Sequence, residues 1–181
     1  EQKCGYHFTP RDYFEQNPSE KEKFAENSFR SYAPIKETRP IATSHIDLDL
    51  VNQSLRGYPA NKLFQFLSVQ FGETETLQLM KKYKVGTSKY WDGATVFWQT
   101  DNQNRIRTGK IMLYNPETGK RIKEPYNHVT WVHSVLHKGD YNLRQCFFGE
   151  HLLPEDKSRP VALVESEKTA LVASYYLPQF L

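Results

Sequence analysis

The sequence predicts an α+β fold in which an N-terminal helical region is followed by a mixed β-sheet and a final strand–helix unit. Helical spacing of apolar residues dominates residues 44–84, whereas residues 94–114 contain two strand-like runs separated by a turn. Near the end of the chain, the apolar run 161–164 has the composition of a strand covered on both faces, and a helical pattern follows it directly. The sequence therefore divides into three regions, residues 1–40, 41–84 and 85–181.

The composition is that of a globular chain. Of its 181 residues, 38% are hydrophobic and 14% are aromatic, which suffices for a packed core and argues against disorder along the whole length. No apolar run approaches the ~20 residues of a membrane-spanning helix, so we expect no membrane association. The two cysteines are far apart and provide no disulfide framework, which suits a reducing compartment and predicts a cytoplasmic location.

The first region, residues 1–40, is polar and interrupted by prolines. Thr9 is a predicted N-cap for a short helix that begins at Pro10. Residues 19–24 form a second short amphipathic piece. Residues 33–41 contain two prolines and are typical of an extended linker.

The second region, residues 41–84, is predicted to be helical. We expect a helix over residues 44–55, with Asp47 as its candidate cap, and a further helix over residues 72–84, with Thr74 as its cap. Between them, a helix over residues 60–71 carries an ordinary core stripe of apolar residues, namely Leu63, Phe64, Leu67 and Phe71.

The third region, residues 85–181, carries the strands. Residues 94–100 and 105–114 read as strands, and the turns between and after them are rich in Asn, Pro and Gly. The apolar run 161–164 ends on Glu165, the position at which α/β sheets place reactive groups. Ser166 is a predicted cap for the following helix, and Glu167 lies in the first turn, where the helix dipole favours an acid.

Basic residues concentrate in two stretches, although the formal net charge is only +3. Residues 81–91 contain four lysines beside three aromatic residues, and residues 105–123 contain six cations. Cations neutralise phosphates and interleaved aromatic rings stack on unpaired bases, so both stretches are candidates for nucleic-acid binding. The alternative, a solvated basic face with core aromatics between the cations, stays open.

Three histidines, at positions 128, 133 and 137, have spacings at which two of them could share a helix face and bind a metal. No Glu or Cys joins them within the segment, and the apolar residues around them indicate burial. We therefore favour a structural interpretation of these histidines.

The segment 159–170, Arg-Pro-Val-Ala-Leu-Val-Glu-Ser-Glu-Lys-Thr-Ala, resembles the first motif of the Toprim domain, the catalytic core of bacterial primases, topoisomerases and related nucleases. In that family an apolar strand ends in Glu-Gly and a helix follows. Glu165 takes the place of the family's glutamate, and Ser166 stands where the glycine is usual. The order of segments over residues 94–176 is also similar to that in the catalytic core of bacterial and phage primases. In both, a strand, a turn and a basic strand are followed by an apolar Phe-Gly stretch, here residues 145–153, and then by the strand that ends in Glu. An ordinary strand–helix unit with a solvent-facing glutamate is the alternative.

The resemblance implies a catalytic role for Glu165, which would ligate Mg²⁺ together with partners outside this chain or transfer a proton. It also implies that Arg105, Arg107 and Lys110 hold nucleotide or template phosphates, and that Lys168 contacts a phosphate close to Glu165. Because Glu165 supplies a single ligand, we expect no polymerase activity from this chain alone.

The N-terminal residues 3–8, Lys-Cys-Gly-Tyr-His-Phe, resemble the last knuckle of a zinc ribbon, a module that primases of this type carry ahead of the catalytic core. The resemblance implies that Cys4 ligates Zn²⁺ in a full-length parent. A structural zinc needs four ligands, so we expect none bound here and interpret His7 as a loop residue. The missing initiator Met and the apolar ending predict a piece of a longer protein. A complete Toprim domain also contains a later strand that ends in Asp-x-Asp, and the resemblance implies that this strand would follow Leu181. Asp47-Leu48-Asp49 lies upstream of Glu165 and is instead interpreted as the first turn of a helix.

Two functions are consistent with these observations. The first is a fragment of a primase-like protein of DNA metabolism, from a phage or mobile element, which performs Mg²⁺-dependent nucleotidyl or phosphoryl transfer in the full-length parent. Its partners would be single-stranded DNA or RNA and nucleotides. The second is a non-catalytic nucleic-acid-binding or scaffolding domain of a mobile element.

Overall fold

The computed structural model describes residues 9–28, 41–136 and 139–181, and it confirms the α+β class. The chain forms two compact units, residues 1–40 and 41–181. The helical region 41–84 thus belongs to the same compact unit as the sheet. No helix in the described ranges is both long and apolar enough to span a membrane.

The described part of the first unit consists of two short helices, α1 (Pro10–Gln16) and α2 (Pro18–Ser28). The Thr9 hydroxyl accepts a hydrogen bond from the amide of Asp12 at 3.3 Å, and the Asp12 carboxylate accepts one from the amide of Thr9 at 2.7 Å. This reciprocal capping box satisfies two backbone donors at the helix start and confirms the predicted cap.

The helices that precede the sheet are α3 (Leu48–Ser54), a 3₁₀ turn (Tyr58–Ala60), α4 (Lys62–Phe71) and α5 (Glu73–Lys82). Asp47 caps α3 by accepting the amide of Asp49 at 2.8 Å, as predicted. The predicted cap at Thr74 is wrong, because α5 begins at Glu73. Gly72, with φ +90°, joins α4 to α5 at that point, a conformation that favours glycine.

The sheet has four strands in the order β1 (Val85–Ser88), β2 (Ala94–Thr100), β3 (Ile106–Met112) and β4 (Val129–Trp131). Every neighbouring pair is antiparallel, so the expected mixed sheet is wrong. Each strand is joined to the next by a turn or loop without a crossover helix, and a parallel pair requires such a crossover. The bounds predicted for β2 are confirmed.

Two apolar cores lie on the two faces of this sheet. On one face, residues of α4, α5 and the C-terminal helix pack against β1 and β2, and the predicted α4 stripe is fully part of this core: Leu63, Phe64, Leu67 and Phe71. On the other face, Val51 of α3 and Val132 of the short helix α6 (Val132–Val135) pack on Val96, Trp98 and Ile111. The sheet is therefore a covered middle layer, which fixes the loops at its two ends.

The C-terminal part contains a 3₁₀ turn (Glu150–Leu152) and α7 (Glu167–Tyr176). Ser166 caps α7 by accepting the amide of Thr169 at 3.2 Å, as predicted. The predicted buried strand at 161–164 is wrong, because the segment belongs to no strand and is largely solvent-exposed, with Leu163 80% accessible. Its apolar composition indicated burial on both faces, but the four-stranded sheet forms elsewhere in the chain.

A short parallel contact nevertheless links this segment to the last residue. The amide of Leu181 donates to the carbonyl of Pro160, and the amide of Ala162 donates to the carbonyl of Leu181, both at 2.9 Å. The guanidinium of Arg159 supports the contact by donating to the carbonyls of Pro178 and Phe180, the latter at 2.9 Å. The segment before α7 and the chain after it therefore lie side by side and run in the same direction.

Candidate nucleic-acid interface

The predicted catalytic residue, Glu165, lies in an exposed position directly before α7. It borders a cavity of about 580 Å³ whose walls are mainly apolar and include Phe147, Leu163 and Leu177. Within the described ranges, no cluster of three or more His, Cys, Asp or Glu side chains is arranged to hold a metal ion. Glu165 thus contributes one carboxylate at the rim of an apolar cavity.

Two of the predicted phosphate-binding cations share one buried acid. Asp101 is 2% exposed, and its Oδ2 lies 2.9 Å from Nε of Arg105 and 2.8 Å from a terminal nitrogen of Arg107. Burial by itself raises the pKa of Asp101. Hydrogen bonds from the amides of Arg105 and Gln103, and from the Arg105 side chain, outweigh burial and lower that pKa. This trio is an internal ion-pair network, in which one carboxylate neutralises part of the charge of two arginines.

The other two predicted cations lie at the start of α7. The Nζ atom of Lys110 is 3.1 Å from the Glu167 carboxylate, and Nζ of Lys168 donates to the carbonyl of Gly119 at 2.7 Å. Both lysines are therefore tied to protein atoms, and they connect β3 and the turn after it to α7. Lys110 and Lys168 therefore lie near the N-terminal end of α7, close in sequence to Glu165. Arg105 and Arg107 instead contact Asp101.

The remaining sequence candidates do not form a common site in the described ranges. Cys4, His7 and His137 lie outside the described residues. The ring of His133 has its Nδ1 2.8 Å from the hydroxyl of Thr108 and stacks on Tyr141. His128, by contrast, belongs to an aromatic cluster.

That cluster, which we call the aromatic ladder, consists of Tyr90, Trp91, His128 and Tyr126. Successive rings are in contact: Tyr90 meets Trp91 edge to face at 4.6 Å, Trp91 meets His128 at 5.1 Å, and His128 stacks on Tyr126 at 4.4 Å with an interplanar angle of 18°. The two ends of the ladder face solvent, because Tyr90 is 51% and Tyr126 56% exposed. The chain thus presents two large, exposed aromatic rings at the ends of a continuous ring array.

The topology of the sheet explains why these rings meet. In an antiparallel sheet of consecutive strands, alternate connections lie at the same end. The β1–β2 loop, which carries Tyr90 and Trp91, therefore lies beside the β3–β4 loop, which carries Tyr126 and His128. The β3–β4 loop is closed on itself by hydrogen bonds from Ile122 to Leu113 and from His128 to Ile122. Two stretches that are more than 30 residues apart in sequence thus form one surface.

The centre of the ladder contains an unsatisfied polar atom. His128 is 8% exposed, and its buried Nδ1 has no hydrogen-bond partner among the described residues. Buried polar atoms in folded proteins are normally hydrogen-bonded, so this nitrogen is free to pair with a water molecule or another external group.

Exposed cations flank the ladder. Lys89 precedes Tyr90, and the loop that leads to Tyr126 carries three more, Lys120, Arg121 and Lys123. In the part of the chain that the structure describes, none of these four forms an ion pair. The acids nearest to them in sequence are Asp92, Glu117 and Glu124, all three exposed. These four cations, unlike the four predicted from the resemblance, have their charges available to a ligand.

The sequence shows that Tyr90 and Trp91 are interleaved with lysines, but it does not show that the loop with Tyr126 and His128 lies beside them. Correct pairing of β1 and β4 with the central hairpin would have placed both loops at the same end of the sheet. Both of these strands are short, with four and three residues.

The structure is thus an α+β fold with an antiparallel sheet and a basic, aromatic loop surface at one end. The chain belongs to the DUF6371 family, a domain of unknown function, whose family profile matches residues 61–181. The match includes the whole sheet, the aromatic ladder and α7. No curated protein and no solved structure matches the chain.

Proposed function

We propose that this chain binds single-stranded nucleic acid, DNA or RNA, through the aromatic ladder and the cations beside it. The observation that carries the proposal is the exposure of Tyr90 and Tyr126 at the ends of one continuous ring array. Unpaired bases stack on such rings, typically with about 1–3 kcal/mol per base, and this stacking tolerates any sequence. Double-stranded nucleic acid has its bases stacked internally and offers no equivalent faces to the ladder.

The cations complete the interface by neutralising phosphates. Each phosphate contact made by Lys89, Lys120, Arg121 or Lys123 releases a condensed counterion, so binding should weaken steeply as the salt concentration rises. Four such contacts on a single strand correspond to a slope of log K against log salt of roughly −3.

The proposal is tested by fluorescence anisotropy with a labelled single-stranded oligonucleotide at several salt concentrations. Tyr126→Ala should weaken binding about fivefold to 100-fold, the range expected for loss of one stacked base. The matched control is Tyr176→Ala, which removes a ring of similar exposure (65%) on α7. Equal effects of the two substitutions, or no binding at low salt, would show that the ladder is not the interface.

A second pair of variants tests the charges. Lys123→Ala should reduce the salt slope by about one phosphate contact, whereas Lys157→Ala, at another exposed loop lysine, should leave it unchanged. Arg107→Ala should have little effect on the slope because Arg107 is paired with Asp101.

A second candidate function is the primase-like, Mg²⁺-dependent nucleotidyl or phosphoryl transfer that the Toprim resemblance implies for a full-length parent. The specific observation that favours it is the parallel contact of Leu181 with Pro160 and Ala162, on either side of α7. An extended segment, a helix and a parallel return are the parts from which a βαβ arrangement is built, and in such an arrangement a carboxylate at the position of Glu165 would lie at a reactive end. Within the described ranges, no three acids, histidines or cysteines are grouped so as to hold a metal ion. Mg²⁺ at Glu165 would therefore need further ligands, as would Zn²⁺ at Cys4.

This second candidate is tested by Mn²⁺, used as a paramagnetic substitute for Mg²⁺. We expect it to broaden the NMR signals of residues near Glu165, and Glu165→Gln should abolish the effect while Glu117→Gln, at an exposed turn, should not. Broadening that is unchanged in Glu165→Gln would remove the support for a metal-binding role. We propose a cytoplasmic location for either function, because the sequence has only two cysteines and they are far apart, which provides no disulfide framework.

A further inference from the structure

The surface around the cavity beside α7 is unusually apolar for exposed protein. Six of its lining side chains are large, hydrophobic and 36–80% exposed, and we call them the C-terminal patch: Phe147, Leu153, Val161, Leu163, Val164 and Leu177. Large apolar side chains scattered singly on a surface need no explanation, but these six line one cavity. They are distinct from the aromatic ladder, which lies on the loops at one end of the sheet.

The size of the patch indicates a specific contact. The exposed parts of its side chains amount to roughly 500 Å², which is at the upper end of the largest patch found on a typical monomer. Two such patches facing one another would bury about 1,000 Å², the lower bound expected for a biological interface.

Among the described residues, the backbone amides on one edge of residues 160–164 have no hydrogen-bond partners. Along an extended segment, successive residues direct their backbone groups to opposite edges, and the carbonyl of Pro160 and the amide of Ala162 are directed to Leu181. The amides of Val161 and Leu163 point the other way, and neither donates a hydrogen bond to any described residue. No charged side chain lies in residues 160–164, although charges are a usual device by which proteins protect an open strand edge.

These features fit a second copy of the same chain. A symmetric contact brings the same patch of two molecules together, so the patch must complement itself, and an uncharged apolar surface does so without repulsion. If two copies of the segment pair in antiparallel fashion, each Glu165 lies at the opposite end of the pair from the other, which separates the two carboxylates. We propose that the chain forms a homodimer in which the C-terminal patches pack together and the open edges of residues 160–164 pair across the twofold axis.

Sedimentation equilibrium of the intact chain over a wide concentration range tests this proposal. We expect a reversible monomer–dimer equilibrium that Leu163→Asp weakens at least about tenfold, the effect of losing one central contact residue. The control is Val69→Asp, because Val69 is equally exposed (81%, against 80% for Leu163) and lies on α4 outside the patch. This control should dimerise like the unmodified chain.

Hydrogen exchange provides a second measurement that does not depend on a substitution. The amides of Val161 and Leu163 should exchange more slowly at concentrations where the dimer predominates, whereas those of loop residues 102–104 should not change. A chain that is monomeric at every concentration would overturn the proposal. So would a dimer that Leu163→Asp and Val69→Asp affect equally, or a dimer without protection of the two amides.

Discussion

Asn61 joins α4 to two strands of the sheet through a side chain that is fully buried. Its Oδ1 accepts hydrogen bonds from the amides of Leu63 and Phe64, at 3.0 and 3.1 Å, and so caps the helix. The same oxygen accepts the hydroxyl of Thr95 at 2.9 Å, and Nδ2 donates to the carbonyl of Gly86 at 3.0 Å. One amide therefore fixes the start of α4 against β1 and β2, and Asn61→Ala removes all of these contacts together.

The magnitude follows from the groups that lose a partner. Loss of the N-cap costs about 1 kcal/mol. The hydroxyl of Thr95 and the carbonyl of Gly86 are buried, and each buried polar group without a partner costs about 1–3 kcal/mol. We expect Asn61→Ala to lower the free energy of unfolding by roughly 3–7 kcal/mol, a large part of the ~5–15 kcal/mol that stabilises an ordinary domain.

Urea unfolding followed by tryptophan fluorescence and circular dichroism measures this loss as a shift of the midpoint at unchanged slope. The control is Asp47→Ala, which removes an exposed cap of α3 that accepts one amide, and which should cost about 0.5–1 kcal/mol. If Asn61→Ala were no more destabilising than Asp47→Ala, the reasoning from buried unsatisfied groups would be refuted.

Two further substitutions test the packing and the pH dependence of the second unit. A Cβ atom on Gly109 would lie 2.8 Å from side-chain atoms of Trp98 and Val96, so Gly109→Ala should destabilise by about 1–3 kcal/mol in thermal unfolding. Burial lowers the pKa of His151 below its ordinary value of 6.5, so the unfolded chain takes up a proton before the folded chain does as the pH falls. Stability should therefore decline below about pH 6.5, and His151→Leu, although it loses the contact with the Lys82 carbonyl, should flatten that decline in denaturation curves at different pH values.

Features set by neighbouring residues were predictable from the sequence, whereas features set by pairing were not. The caps at Thr9, Asp47 and Ser166 all follow from side chains that reach amides two or three residues away. The α4 stripe follows from helical period alone. In contrast, β1 and β4 are short, and what makes them strands is their register against the central hairpin.

The segment 161–164 was predicted as a strand and is not one. Its composition is that of a buried strand, but the fold leaves it exposed and outside the sheet. Apolar β-branched residues indicate that a segment favours extended backbone and burial, and the segment is in fact extended between Pro160 and Ala162. Burial additionally requires something to cover it, which depends on the rest of the fold and on other chains. The same residues that produced the wrong expectation are therefore those that support the proposed dimer.

Sheet topology also decides which of the predicted cations can act together. Arg105 follows the β2–β3 turn, which in an antiparallel sheet lies at the end opposite the β1–β2 and β3–β4 loops. An irregularity in the pairing at Gln99 and Thr100 accompanies the approach of Arg105 and Arg107 to Asp101. A count of basic residues treats all of them as equal, but the fold neutralises those at one end and leaves Lys89 and Lys123 exposed beside stacked rings at the other. For this reason the salt slope of oligonucleotide binding should respond to Lys123→Ala and not to Arg107→Ala, although the family resemblance names Arg107 among the phosphate-binding residues.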